Sequence, residues 1–242
     1  MASLRKIAHR GASGHYPENT RLAFAKAIEA GADMIELDCQ LSRDGHVVVF
    51  HDERLNRAGR SRGTVRSKTL DQLKRLDIGA WRGRVFAGER ILTLEEALES
   101  IAGNADVCVE IKSYQDSVPG IELKLLFIVS HYDYFERTTF SSFDYGVLAR
   151  LRQLAPEANI GMIVGSPLQP NWLEAARGVT ARSVHIQKQL ATHEVLAQAW
   201  EEGLDVYVWT VNDVHAMHAL GGMGVQGLIS DFPEKFSQLS FR

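Results

Sequence analysis

Disulfide cross-links are the first thing excluded. The chain of 242 residues holds only two cysteines, Cys39 and Cys108. Both fall in stretches that read as strands, so a reducing, cytoplasmic setting is expected. Long apolar runs are missing as well. No stretch approaches the ~18 residues of a membrane span, and the opening Met1-Ala2-Ser3-Leu4-Arg5-Lys6 lacks the apolar centre of a secretion signal. No stable membrane association is expected. An excess of positive charge is lacking too: 27 Lys and Arg against 30 Asp and Glu leave a net charge of -3, the wrong sign for a nucleic-acid-binding surface. There is no low-complexity tract. What remains is an ordinary globular composition, 45% hydrophobic and 24% charged. The length suits two small domains or one α/β barrel of about 250 residues.

The most informative stretch is Met34 to Asp52, MIELDCQLSRDGHVVVFHD. Strand alternation puts Ile35, Leu37 and Cys39 on one face and Glu36, Asp38 and Gln40 on the other. Asp44-Gly45 then signals a hairpin with a two-residue type I′ loop. Val47-Val48-Val49-Phe50 is the returning strand. In that register Arg43 faces His46, and His51 faces Asp38 at about 4.5–5.5 Å between Cβ atoms. Two same-face carboxylates repel unless a cation sits between them. Alternating acids on a solvent face would be the plainer explanation, and this stretch alone leaves both readings open.

The surrounding chain favours a site. Residues 4–9 form a strand ending in His9-Arg10-Gly11. A glycine-bearing loop follows, and then a helix for which Asn19 is the expected N-cap and Gly31 the stop. The segment 53–92 is rich in arginine and glycine. Arg54, Arg57, Arg60, Arg62 and Arg66 suit a solvated loop or attraction of an anionic substrate, and the segment is too short for a core of its own. Thr69-Leu70-Asp71-Gln72 and Thr93-Leu94-Glu95-Glu96 are capping boxes that open helices. Strands are expected at 4–9, 33–38, 106–112, 138–142, 159–164, 183–187, 205–211 and 227–230, with helical patterns between them. Eight alternating βα units predict a single-domain (β/α)₈ barrel over residues 1–242, with 53–92 as an insertion and 46–51 as an extra strand. A barrel keeps its chemistry at the C-terminal ends of its strands. Here those ends carry His9, Arg10, Glu36, Asp38, Glu110, Lys112, Trp209 and Asn212.

Glu36, Asp38 and Glu110 on neighbouring strands make an all-oxygen set suited to Mg²⁺ or Ca²⁺ and not to structural zinc. Arg10 and Lys112 are then free to hold an anion. His9 and His51 can trade protons near neutrality. A dication, two cations and two imidazoles describe phosphoryl transfer better than acyl or sugar chemistry. Taken singly, Lys112 is more often a partner of Glu110, Trp209 core, and Asn212 a helix cap. His15, His46, His131, His185, His193, His215 and His218 are assigned to the surface or to ordinary packing. Ser141-Ser142 lacks the glycines of a nucleophile elbow, so the attacking oxygen is expected from water or from the substrate itself. No aromatic cluster that would select a quaternary ammonium stands out.

His9-Arg10-Gly11, Pro17-Glu18-Asn19-Thr20, Glu36-Leu37-Asp38, His51-Asp52, Glu110-Ile111-Lys112, Ser142-Phe143 and Trp209-Thr210-Val211-Asn212 are spaced as in the glycerophosphodiester phosphodiesterases, and the resemblance runs from His9 to Pro233. It implies a barrel hydrolase, dependent on a divalent cation, that cleaves deacylated phospholipids to glycerol 3-phosphate and an alcohol. By resemblance, Glu36, Asp38 and Glu110 hold the metal, His9 and His51 are the acid–base pair, and Arg10 and Lys112 bind phosphate. Trp209 is the expected contact for the glycerol side. A first assignment makes His9 the base and His51 the acid, with the direction left open. The chain departs from the family at Ala58, usually threonine, and at Leu92, usually proline, which bears on substrate preference more than on activity. A barrel phospholipase acting on intact lipid and a non-catalytic phosphate-ester binder are the alternatives. Homo-oligomerisation is left open.

Overall fold

The computed structural model describes residues 4–59, 61–114 and 120–240; Arg60, grouped above with the loop arginines, lies outside them. Eight parallel strands close a ring. In chain order they are β1 (Arg5–His9), β2 (Met34–Leu41), then, after two short extra strands β3 (Val47–Val49) and β4 (Leu92–Thr93), β5 (Asp106–Ile111), β6 (Thr138–Ser142), β7 (Asn159–Val164), β8 (Ser183–Gln187), β9 (Asp205–Trp209) and β10 (Gly227–Ser230). β1 pairs with both β2 and β10, so the sheet has no free edge within the ring. The helices are α1 (Arg21–Glu29), α2 (Leu70–Lys74), α3 (Leu94–Ile101), α4 (Ile121–His131), α5 (Tyr145–Leu154), α6 (Trp172–Gly178), α7 (His193–Glu201) and α8 (Val214–Gly222). The expected eight-stranded barrel is therefore present, with β3 and β4 outside the ring. Among the described residues no helix is long and apolar enough to cross a membrane.

The two faces of each strand do different work. Ile35, Leu37 and Cys39 of β2 pack outward with Val107, Val109 and Ile111 of β5 in the main hydrophobic core beneath the helices. Met34, Cys108, Ile7, Tyr207 and Ile229 fill the barrel interior as a separate apolar layer. Strand period therefore carries Glu36, Asp38 and Glu110 up the inside of the barrel toward its C-terminal mouth. Both cysteines are free and buried, one in the outer core and one in the interior layer.

The insertion has more structure than a solvated loop. Both capping boxes form as expected, Thr69 with Gln72 and Thr93 with Glu96. Leu55, Ala58, Val65, Leu73, Ile78 and Ile91 pack on Val48 and Phe50 into a small satellite core. Too short to build a core alone, the segment completes one with Val48 and Phe50 of the returning strand. Ala58 is wholly buried there, and Leu92 pairs with Val49 in β4. Both departures from the family pattern thus serve packing.

The hairpin register differs from expectation. Cys39, Gln40 and Leu41 face Val49, Val48 and Val47, so the loop has three residues and Asp38 lies opposite Phe50, whose N–H donates to the Asp38 carbonyl (2.9 Å). Only Gly45 has positive φ, at 81°, which fits a turn followed by a bulge in place of a type I′ loop. The reason is the insertion. Asp44 spends its carboxylate on Ser42 Oγ (2.7 Å) and on the N–H of Leu70 (3.0 Å), while the Arg43 N–H donates to the Lys68 carbonyl (2.8 Å). A one-residue slip turns every side chain to the opposite face. His51 therefore reaches the barrel mouth because the chain leaves the sheet after Val49, and not as the cross-strand partner of Asp38.

Candidate active site

The β1–α1 connection sets the first half of the site. Arg10 and Gly11 both have positive φ, 56° and 81°, folding the loop back so that the Arg10 N–H donates to Glu36 Oε2 (3.0 Å). Gly11 cannot be replaced without conflict, since a Cβ there would lie 2.6 Å from the Ala23 carbonyl carbon. For Gly11→Ala we expect a loss of about 1–3 kcal/mol from the backbone conformation alone and more from the overlap. Tm should fall by roughly 2–4 °C for each kcal/mol in a chain of this size. Calorimetric unfolding measures it, and an unchanged Tm would contradict the loop geometry.

Asn19 does not cap α1; Thr20 does, accepting from the Ala23 N–H (3.2 Å). Asn19 takes φ 58° and donates from Nδ2 to Asp38 Oδ2 (2.8 Å). Asp38 is fully buried and also meets Lys112 Nζ (2.8 Å) and Arg10 Nε (3.2 Å). Burial would raise its pKa, but the charges of Lys112 and Arg10 hold the carboxyl far below the usual range. Lys112 also contacts Glu110 Oε1 (2.5 Å). Glu36 goes the other way: burial, then the charge of Asp38, pushes its carboxyl up to about 8. Two neighbours on one strand face are thus driven apart, one ionised and one holding a proton near neutrality.

Oxygens of Glu36, Asp38 and Glu110 lie within 4.8 Å of one another, all buried. Asp38 Oδ1 and Arg10 Nε, although in ion pairs, have no hydrogen bond of good geometry. An all-carboxylate set this close together, with one member pushed toward its protonated form by burial and by its neighbour's charge, fits a hard dication.

Each histidine has its own carboxylate. His9 Nδ1 lies 2.6 Å from Asp231 Oδ1, and His51 Nδ1 lies 2.9 Å from Asp52 Oδ1. This leaves Nε2 of each ring for a ligand, and both rings line one cavity of about 260 Å³ with Arg10, Glu36, Glu110 and Lys112. Burial opposes charge on His9, but the hydrogen bond to Asp231 and the Glu36 charge outweigh it, and its pKa is raised. At His51 burial prevails over the Asp38 charge, helped by the positive charges of Lys112 and Arg10, and the pKa is lowered. The His51 backbone is held on both sides: Gln40 Nε2 donates to the carbonyls of Phe50 (2.6 Å) and Asp52 (3.0 Å), and the Tyr114 hydroxyl donates to the His51 carbonyl (2.5 Å).

His9, Arg10, Glu36, His51, Glu110, Lys112 and Trp209 thus line one cavity at the barrel mouth, and Asp38 lies buried against Arg10 and Lys112. Trp209 lines the cavity, with Nε1 donating to the His185 carbonyl (2.9 Å), and meets Phe143 edge to face at 5.7 Å. That is an aromatic pair, not a cage. His185, grouped above with surface or packing residues, also lines the cavity. It is buried, and burial lowers its pKa to about 4, so it is a neutral wall. Asn212 is not the helix cap, which is Asp213. It donates to Asp231 Oδ2 (2.6 Å) and steadies the partner of His9. Asp231 went unnoticed in the sequence, although it directly follows β10, where the strand-end rule points. Gln40 was legible on the same face as Glu36 and Asp38. Asp52, Glu18 and Arg57 gave no signal for their contacts.

Residues 9–235 match the Glycerophosphoryl diester phosphodiesterase family. A glycerophosphodiester phosphodiesterase of Caldanaerobacter subterraneus subsp. tengcongensis is 41% identical over 96% of both chains. A putative glycerophosphodiester phosphodiesterase of Bacillus subtilis is 36% identical over 94% of both. Among solved structures, an Oleispira antarctica phosphodiesterase in complex with the product sn-glycerol-3-phosphate superposes with a TM-score of 0.88 at 30% identity, covering 97% of this chain and 95% of that one.

Proposed function

The chain belongs to the glycerophosphoryl diester phosphodiesterase family, and from that membership we propose that it hydrolyses glycerophosphodiesters to glycerol 3-phosphate and an alcohol at the mouth of the barrel. The observation that carries the reading is the pair of Asp–His dyads opening on one cavity with the buried carboxylates and with Arg10 and Lys112. The glycerol 3-phosphate named for the Oleispira relative supports the product.

Glu36, Asp38 and Glu110 would hold a divalent cation, Mg²⁺ or Ca²⁺. Such a cation would supply charge neutralisation at the phosphate and would make a nearby hydroxyl more acidic. Arg10 and Lys112 bind the phosphate oxygens, and Trp209 packs against the glycerol side. Among the described residues Ser141 is the one serine, cysteine or threonine lining the cavity, and its Oγ pairs with the Cys108 thiol (3.5 Å) and not with a histidine; the glycerol 2-hydroxyl therefore attacks phosphorus within its own molecule, which removes much of the entropic cost. The opposite pKa shifts support one assignment of the proton carriers. His51, kept neutral by burial, takes the hydroxyl proton at Nε2. His9, whose proton is held by the hydrogen bond to Asp231, gives a proton to the departing alcohol. This reverses the direction first taken from the sequence. Water then opens the cyclic phosphate with the roles exchanged.

The test measures the choline or phosphocholine released from glycerophosphocholine, with glycerol 3-phosphate as its co-product, from phosphatidylcholine, and from the choline diester lacking the 2-hydroxyl. Release from the first and not the second is expected, while the deoxy diester should bind but turn over at least on the order of 10²-fold more slowly. Release from phosphatidylcholine would favour a phospholipase. Normal hydrolysis of the deoxy diester would favour direct attack by water.

A further inference from the structure

Arg57 stands outside every motif of the site, yet its guanidinium makes two forked contacts. Nε and Nη2 donate to Asp52 Oδ2 (2.6 Å) and Oδ1 (2.8 Å), while Nη1 and Nη2 donate to Glu18 Oε2 (3.2 Å) and Oε1 (2.9 Å). Each carboxylate also holds a residue of the cavity: Asp52 holds His51 Nδ1 (2.9 Å), and Glu18 Oε1 accepts from Arg10 Nη1 (3.1 Å). An unbroken chain, His51–Asp52–Arg57–Glu18–Arg10, therefore runs through one side chain of the insertion.

The insertion is built to keep that side chain in place. Arg57 ends a short 3₁₀ turn, Leu55–Arg57, whose Leu55 is fully buried in the satellite core. The Trp81 ring covers the guanidinium at 5.0 Å. Further along, Arg82 donates to the Gly14 carbonyl, and Phe86 meets Tyr16 at 6.0 Å, tying the insertion to the loop that bears Arg10. Without Arg57, Asp52 and Glu18 would be two part-buried carboxylates with one cationic partner fewer.

We propose that Arg57 is the positioning residue shared by both halves of the site, fixing the ring of His51 through Asp52 and the guanidinium of Arg10 through Glu18. The role of the insertion is then to deliver this fork, beyond shaping substrate preference. A lysine cannot replace it, because an ammonium is a point charge without the planar geometry that grips two carboxylates side by side.

The inference rests on the proposed roles of His51 and Arg10, and the experiment separates the two. With the cation-loaded enzyme and glycerophosphocholine, Arg57→Ala and Arg57→Lys are compared with His51→Ala. We expect Arg57→Ala to lower kcat by roughly 10- to 100-fold and to raise KM, with Arg57→Lys only partly recovered. Guanidinium at low millimolar concentration should restore Arg57→Ala, while urea, of the same shape but neutral, should not. In ¹⁵N spectra of histidine-labelled protein the His51 ring should lose its fixed Nδ1–H form in Arg57→Ala and regain it with guanidinium. Wild-type kcat in a folded Arg57→Ala overturns the proposal. So does a loss of activity with no guanidinium rescue and an unchanged His51 spectrum, which marks a merely structural residue. An active His51→Ala would instead overturn the proposed function.

Discussion

Glu36→Gln, Asp38→Asn and Glu110→Gln are each expected to weaken cation binding and to lower turnover by roughly a thousandfold, as losing several kcal/mol of charge stabilisation implies. The three differ in what they do to the fold. Glu36 has its pKa raised to about 8, so without cation the native state binds more protons than the unfolded state between the ordinary glutamate pKa and about 8. Stability falls as pH rises through that window, and Glu36→Gln removes the penalty. Asp38 has its pKa lowered, so its contribution is present above the unfolded value and is lost on acidification. Asp38→Asn leaves Lys112 and Arg10 short of a buried partner and should lower Tm at neutral pH. Calorimetric titration of Mg²⁺ and Ca²⁺ decides the site. Below about pH 8 cation binding should release a proton from Glu36, and affinity should rise with pH up to that value. Unchanged affinity in all three variants would remove the carboxylates from the site.

His9→Ala and His51→Ala should each lose about 10²- to 10⁴-fold in kcat while remaining folded. Their pH profiles should differ in a defined way. The proposed base, His51, must be neutral, so the acid limb of kcat/KM follows its lowered pKa. The proposed acid, His9, must be charged, so the alkaline limb follows its raised pKa. A broad plateau across neutrality results. His51→Ala should abolish the acid limb of the residual activity and His9→Ala the alkaline one. Limbs that respond the other way round would exchange the two roles, and unaltered limbs in both variants would exclude the pair. Asp231→Asn is a weaker version of His9→Ala, because the ring keeps its place through a neutral hydrogen bond but loses the charge that holds its proton.

Much of this was legible in the chain because it depends on backbone periodicity. Alternation along β2 put Glu36, Asp38 and Gln40 on one face, alternation along β5 did the same for Glu110 and Lys112, and βα repetition supplied the barrel whose strand ends gather them. Capping at Thr69 and Thr93 needs only the four residues of each box, and both formed as expected. Other features depend on contacts between distant segments. Asp44-Gly45 favoured a two-residue loop by local preference, but hydrogen bonds to Lys68 and Leu70 outside the hairpin moved the register by one. Asn19 had the look of a helix cap, and the left-handed bend of its loop turned it onto Asp38 instead. Asp231 meets His9 because β10 closes the ring against β1, and Arg57 meets Asp52 and Glu18 because the insertion packs on Val48 and Phe50. The sequence by itself determined which residue types share a face and at which end of the barrel they stand, since a strand repeats every two residues wherever it is. Only the tertiary structure decided which carboxylate holds which histidine, and hence the direction of proton transfer we propose, because pKa follows burial and neighbouring charge and both arise when the ring closes.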